Sequence, residues 1–291
     1  MSRYATASAF EEQRFVDVGD ARVCHRKAGE GPALVLLHGF PLSGMTWRRV
    51  VPELSKHFTC HAVDLLGLGD STARGEGDFS SQGQAELIRK TMDALGVLSY
   101  ALVGHDTGGW IARELALLDG ARVTHLALIN TEIPGHRPPW IPLYQRLARL
   151  PGSVEIFRRL LGSRYFRRSA MGFGGCFVDL DLIEGDFAEL FLAPLAASRE
   201  KLRNAFRFLV GMKFDRLDRF AELHGKLLMP VTFLWGADDP TFPEARARAM
   251  ASQFPNVSGF HSIPKGKLLV HEERPTEIAR ATIEFVERLP G

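Results

Sequence analysis

Asp106 stands in the run Leu102-Val103-Gly104-His105-Asp106-Thr107-Gly108-Gly109-Trp110, where the residue types on either side suit a carboxylate that does chemistry. An apolar, β-type run (Tyr100–Gly104) precedes it and a helical pattern (Thr107–Leu118) follows. The segment therefore reads as a strand–turn–helix junction of the form G-x-nucleophile-x-G. Small neighbours let the chain turn sharply and hold the central side chain out of the regular structure. A serine there would attack esters. A carboxylate suits displacement at an sp3 carbon that bears a leaving group or a strained ring, giving an alkyl ester that water later cleaves. The competing reading is a structural Gly-Asp turn.

Such a turn must be carried by a sheet, and the pattern around it supplies one. Strands are expected near Arg14–Val18, Arg22–Lys27, Ala33–His38, Thr59–Asp64, Tyr100–Gly104 and Val123–Asn130, with helices near Thr46–Ser55, Ser80–Leu95 and Thr107–Leu118. This alternation predicts an α/β fold with a largely parallel sheet covered on both faces. It stops at Ile133-Pro134-Gly135-His136-Arg137-Pro138-Pro139, and an Arg- and Phe-rich helical stretch runs to about His224 before Pro230-Val231-Thr232-Phe233-Leu234-Trp235 resumes a strand. The interruption predicts a helical cap inserted into the core, with residues 1–133 and 226–291 as core and 134–225 as cap. A helix near Glu244–Gln253, a strand near Val257–Ile263 and a helix near Thr276–Arg288 close the chain.

With 291 residues, 45% of them hydrophobic and 24% charged, the chain can bury one large core. A net charge of +2 is too small for a phosphate-tracking surface, so no nucleic-acid partner is expected. Cys24, Cys60 and Cys176 are scattered, with no CxxC pair and no clustered histidines; no metal is expected, and a reduced, cytoplasmic setting is the simplest reading. The start MSRYATASAF lacks a secretory apolar stretch and no run of 18 apolar residues occurs, so neither export nor a membrane span is expected.

These features together resemble the Asp-nucleophile branch of the α/β-hydrolase superfamily, which includes epoxide hydrolases and haloalkane or haloacetate dehalogenases. The resemblance covers nearly the whole chain. His38-Gly39-Phe40-Pro41 is similar to the HGxP motif of that branch, and Asp64-Leu65-Leu66-Gly67-Leu68-Gly69-Asp70-Ser71 resembles its D-x-x-G-x-G-x-S loop. The resemblance implies an α/β-hydrolase fold with a mostly parallel eight-stranded sheet, flanking helices and an inserted cap. It also implies that the backbone N–H groups of Phe40 and Thr107 form an oxyanion hole for the tetrahedral intermediate of ester hydrolysis, and that no cofactor is used. Trp235-Gly236-Ala237-Asp238-Asp239-Pro240 places Asp239 where the family carries the carboxylate that orients its catalytic histidine. Asp238, a plain Asp-Pro turn, and Glu132 as a second acid are the alternatives.

The chain departs from the family at one informative point. The family's catalytic histidine lies seven residues before the proline that opens the final helix; that proline is Pro275 and the position holds Leu268. Either His271, three residues on, reaches the ester as the base, or the base is lost and the chain becomes a covalent trap or a ligand-binding member of the fold. His38 and His105 flank the nucleophile and are expected to face the site while bonding locally rather than acting as base.

Dehalogenases follow their nucleophile with a tryptophan, or with arginines close behind it. Here Thr107 follows, and Arg113 is two turns on. Epoxide hydrolases polarise the ring oxygen with cap tyrosines, so Tyr144 and Tyr165, together with Trp110, are the expected substrate-facing residues. Tyr144 also fits an amphipathic core pattern with Leu143, Leu147 and Leu150. The cap carries eight arginines between Gly135 and Ala170 against the single acid Glu155, and ten of the chain's 20 phenylalanines. The phenylalanines predict an apolar pocket roof or a homodimer contact; the arginines, a solvated face. The expected activity is hydrolysis of a small apolar epoxide, with haloalkane dehalogenation as the alternative.

Overall fold

The structure, a computed structural model, describes residues 9–288; the start of the chain on which the export reading rests lies largely outside them. Its sheet runs β1 (Glu12–Val18), β2 (Ala21–Ala28), β3 (Ala33–Leu37), β4 (Thr59–Val63), β5 (Thr72–Ala73), β6 (Tyr100–His105), β7 (Val123–Ile129), β8 (Val231–Gly236) and β9 (Val257–Ile263). The order across the sheet is β1-β2-β4-β3-β6-β7-β8-β9, with β5 paired to β2. From β4 to β9 every pairing is parallel. The ninth strand, absent from the eight expected, is the two-residue β5, too short to leave a period in the sequence.

β3 alternates between the two faces: Leu34 and Leu36 join one buried cluster, Val35 and Leu37 the other. Burial on both faces is why β3 and β6 read as continuous apolar runs. The helix expected over Thr46–Ser55 is broken into a 3-10 turn, Gly44–Arg49, and a short helix, Val51–Leu54. Pro52 has no N–H to extend the first into the second.

The strand order reverses where β3 and β6 lie side by side, each leading to its next strand in opposite directions across the sheet. Ligand sites of open parallel sheets form at the C-terminal ends of strands at such a switch point. Leu37 pairs with Gly104, His105 with Ile129, and Ile129 with Leu234, so the ends of β3, β6, β7 and β8 lie abreast. The loops that follow carry Gly39-Phe40, Asp106, Asn130-Thr131-Glu132 and Asp239. Between β7 and β8 the chain leaves the sheet for a series of helices, among them Trp140–Ala148, Ser153–Gly162 and Arg199–Gly211. Their arginines find acids in later segments: Arg168 lies 2.8 Å from Asp181, Arg167 pairs with Glu184, and Arg137 with Asp218. No described helix is long and apolar enough to cross a membrane.

Cys24, Asp64 and Asp70 bring three ligand-type atoms within 4.8 Å of one another. Arg26 already sits 2.6 Å from Asp64 Oδ1, and Gly44 N–H donates to the same oxygen at 2.7 Å. Burial pushes the Cys24 thiol up to about 12. The group is an ion-paired knot that ties the loop after β4 to β2.

Several histidines are buried as neutral rings. His25 Nε2 and His61 Nδ1 meet at 2.9 Å across β2 and β4. Burial is the first cause that lowers His25 to about 3, His61 and His38 to about 4, and His105 and His224 to about 3. An unfolded histidine binds its proton near 6.5. The stability from these rings is therefore full above pH 6.5 and is lost as the pH falls toward 4, because protons then favour the unfolded chain. Asp239, raised to about 6 by burial, acts in the opposite sense, contributing below pH 4 and fading by pH 6, and Asp106, Glu132, Glu272 and Glu273, which burial also raises, act in that sense too; with His271, likewise held low by burial, six histidines outnumber these five acids. The thermal midpoint is expected to fall steadily from pH 6.5 to pH 4. A scan in which pH 4.5 matches or exceeds pH 7 would contradict this account.

Candidate active site

Asp106 sits at the turn between β6 and the helix Thr107–Leu118, with φ 50 and ψ −132. That positive φ is uncommon for a side chain with a Cβ and costs of order 1–3 kcal/mol, so the surroundings must impose it. They do: Asp106 N–H is held by the carbonyls of Ile129 and Asn130, and its own carbonyl accepts from Gly109 N–H and from Thr131 Oγ1, both at 2.8 Å. The turn also needs empty space around it. A Cβ on Gly108 would lie 2.3 Å from Leu37 O, and one on Gly39 would lie 2.5 Å from Asp106 Oδ2.

The carboxylate meets two backbone donors. Phe40 N–H donates to Asp106 Oδ2 at 2.9 Å, and Thr107 N–H also bonds the group. His38 positions the first of these: its Nε2 accepts from Leu65 N–H and its Nδ1 donates to Gly39 O, both at 2.9 Å. The two N–H groups face the atoms on which an oxyanion would develop once Asp106 is esterified.

A second carboxyl stands beside the first. Glu132 is buried in the loop after β7, and Thr107 Oγ1 lies 2.9 Å from Glu132 Oε1 and 3.4 Å from Asp106 Oδ2. Burial first, and then the Glu132 charge, push Asp106 well above the usual carboxylate range; burial likewise raises Glu132. Two acids this close in a dry site resist double ionisation. Arg113, fully buried, braces the arrangement: Nη2 donates to Glu132 O at 2.8 Å and Nε to Gly109 O at 3.1 Å. Burial lowers it to about 10, which leaves it charged at neutral pH. Arg113→Ala would orphan these carbonyls and open a cavity, and is expected to cost about 3 kcal/mol in urea unfolding; a loss below about 1 kcal/mol would show that the brace carries little.

Asp239 is buried after β8, whereas Asp238 is exposed. Asn130 Nδ2 donates to Asp239 Oδ2 at 2.7 Å and Thr241 N–H to Oδ1 at 2.8 Å. Among the described residues no imidazole bonds it. Leu268 occupies the cavity wall near Asp106, and its carbonyl accepts from His105 Nε2 at 2.8 Å.

The cavity has a volume of about 180 Å³. Apolar cavities of about 150 Å³ hold benzene. Its polar lining includes Asp106, Thr107, Glu132, Gln145 and Thr241, and its roof comes largely from the phenylalanines of the inserted helices, including Phe157, Phe206 and Phe208.

A family model described as the alpha/beta hydrolase fold matches residues 32–173. The chain has the α/β hydrolase fold. A fluoroacetate dehalogenase of Burkholderia sp is 39% identical over 123 residues, 41% of this chain and 40% of the relative. A soluble epoxide hydrolase of Corynebacterium sp. (strain C12) is 40% identical over 114 residues, 39% of each chain. The chain thus matches about two fifths of the length of these relatives. The solved structure of the epoxide hydrolase CorEH without ligand superposes with a TM-score of 0.81, at 22% identity, covering 96% of this chain and 99% of that one, which shows the shared fold.

Within this α/β hydrolase fold several sequence expectations need correction. His271 does not reach the cavity. The chain coils at Val270–Glu273, which turns the ring away toward the Gly44–Arg49 segment. There Nε2 lies 2.7 Å from Thr46 Oγ1 and the ring packs between Trp47 and His105. Burial holds it well below its ordinary range, so it stays neutral and locked. His38 and His105 are buried behind the site and do not line the cavity. Tyr165 is 91% exposed, beside Arg164 and Arg168 on the outer surface, because its five-residue helix has too little length to bury a face. Tyr144 and Trp110 do line the cavity, but the Tyr144 hydroxyl already donates to the Met171 carbonyl. Asn130, the partner of Asp239, went unread in the sequence. Its signal is a polar triplet, Asn130-Thr131-Glu132, at the end of an apolar strand.

Proposed function

We propose that this protein is a cofactor-free hydrolase of small apolar alkyl electrophiles, epoxides first, acting through an alkyl ester on Asp106, with residues 134–225 as its cap. The seat of Asp106 carries this reading: a carboxylate held at a strained turn, on the wall of an apolar cavity, with two backbone N–H groups fixed at its oxygens. Attack by Oδ on a ring carbon opens the C–O bond and leaves an ester. Water then adds to the ester carbon, the Phe40 and Thr107 N–H groups stabilise the oxyanion, and its collapse frees the diol. The apolar lining of the cavity strengthens each of these interactions. The relatives named as an epoxide hydrolase and a fluoroacetate dehalogenase support the class of electrophile. The three free cysteines suit a cytoplasmic setting.

A second reading, a covalent trap or binding protein, is favoured by Leu268 and by the locked His271. Intact-mass spectrometry after mixing the protein with styrene oxide separates them. A transient gain of one styrene oxide with diol release supports the hydrolase, a lasting adduct at Asp106 supports the trap, and no adduct with no diol removes both in favour of non-covalent binding.

A further inference from the structure

We propose that Glu132 does the proton work that an imidazole would otherwise do: it donates a proton to the epoxide oxygen as Asp106 attacks, then accepts one from the water that cleaves the ester. This rests on the Asp106 ester reading. The evidence is the pair itself. Glu132 lines the cavity that Asp106 lines, and the two carboxyls are bridged by one hydroxyl, Thr107 Oγ1, at 2.9 and 3.4 Å.

The hydrogen bonds leave room for the proton on Glu132. Thr131 Oγ1 has one hydrogen and two oxygens within reach, the Asp106 carbonyl at 2.8 Å and Glu132 Oε2 at 3.1 Å. The carbonyl can only accept. The hydroxyl donates to either oxygen, and when it turns to the carbonyl a lone pair faces Glu132 Oε2, so a proton on Glu132 has an acceptor there. Burial leaves the pair one proton to share, and attack on carbon needs the arrangement in which Glu132 holds it while Asp106, with its two backbone N–H donors, carries the charge. In the reactive arrangement, then, Asp106 is the anion and Glu132 the acid.

The cycle balances from that state. In ring opening, an Asp106 oxygen bonds to carbon, the ring C–O bond breaks, and its electron pair takes the Glu132 proton. The ester is neutral, so the charge that kept Glu132 protonated is gone and Glu132 is now the anion. It accepts a proton from water as the hydroxide adds to the ester carbon. The tetrahedral intermediate expels the alkoxide, which takes the proton of the newly formed Asp106 carboxyl. The diol leaves, and the pair returns to one proton and one charge. Among the described residues the other proton donors are poorly placed for the first step: the Tyr144 hydroxyl is committed to Met171, Tyr165 is outside, His271 is locked, and burial makes the Cys176 thiol a weaker acid than usual.

The test uses the full-length protein, Glu132→Gln and Glu132→Asp, each shown to be folded by its thermal midpoint, with styrene oxide and 1-bromobutane as separate probes. A halide leaves without a proton, so 1-bromobutane should alkylate Asp106 in Glu132→Gln at close to the wild-type rate, whereas styrene oxide should do so far more slowly. With either probe the ester in Glu132→Gln should persist, its hydrolysis slowed by about 10²–10⁴-fold, the range for a lost general base. Glu132→Asp, which keeps a titratable group, should recover part of that loss. Wild-type turnover by folded Glu132→Gln would overturn the role of Glu132 and leave the Asp106 ester standing. Persistent ester in the wild-type protein would also overturn it, and absence of ester in every form would overturn both readings.

Discussion

Asp106→Asn is expected to abolish ester formation and to lower styrene oxide turnover by about 10⁴-fold or more, the scale seen when a nucleophile that works within a unit is removed. An amide has no free anionic pair to attack carbon, yet its oxygen still fits the Phe40 and Thr107 N–H groups. The substitution also removes one of two crowded acids, so the folded protein should be at least as stable as the wild type. Turnover within tenfold of wild type, in a protein with an unchanged thermal midpoint, would remove Asp106 from the reaction.

Leu268→His is expected to do the reverse. Leu268 lines the cavity with Asp106 and Thr241, on the loop that follows β9. An imidazole there is expected to reach Asp239, which is buried and fixed by Asn130 and by Thr241, a neighbour of Leu268 in the cavity wall. A carboxylate so placed fixes the tautomer of the ring and stabilises its protonated form. Ester hydrolysis should therefore rise by about 10²-fold, the lower end of general-base effects, measured as the decay rate of the covalent adduct after a single exposure to 1-bromobutane. A folded Leu268→His protein with unchanged decay would mean that Asp239 does not serve an imidazole at this position. The burial that holds Asp239 near 6 should also yield to the new cation, so that Asp239 becomes more acidic in the variant.

What the sequence disclosed, and what it hid, follows the range of the interactions involved. The turn at Asp106 was legible because it is local: an apolar strand, two flanking small residues and a helix, all within a dozen positions. β3, β6, β7 and β8 were legible because burial on both faces forces continuous apolar runs. His271 misled because spacing along a chain does not say which way a side chain leaves the next turn; the coil at Val270–Glu273 sends it toward Thr46. Tyr165 misled because aromatic character says nothing about which side of a short helix meets the core. Glu132 was visible only as a second candidate acid. Its meeting with Asp106 through Thr107 depends on the register of β6 against β7, in which His105 lies opposite Ile129, and register is a property of the assembled sheet.

The ester on Asp106 is tested most directly by a single turnover in H₂¹⁸O with enzyme in excess over styrene oxide, followed by digestion and mass analysis of the peptide that contains Asp106. If Asp106 attacks carbon and water attacks the ester, the heavy oxygen enters the Asp106 carboxyl and the first diol released carries none. Heavy oxygen in that first diol, with the Asp106 peptide unlabelled, would mean that water attacks the epoxide directly and would contradict the account.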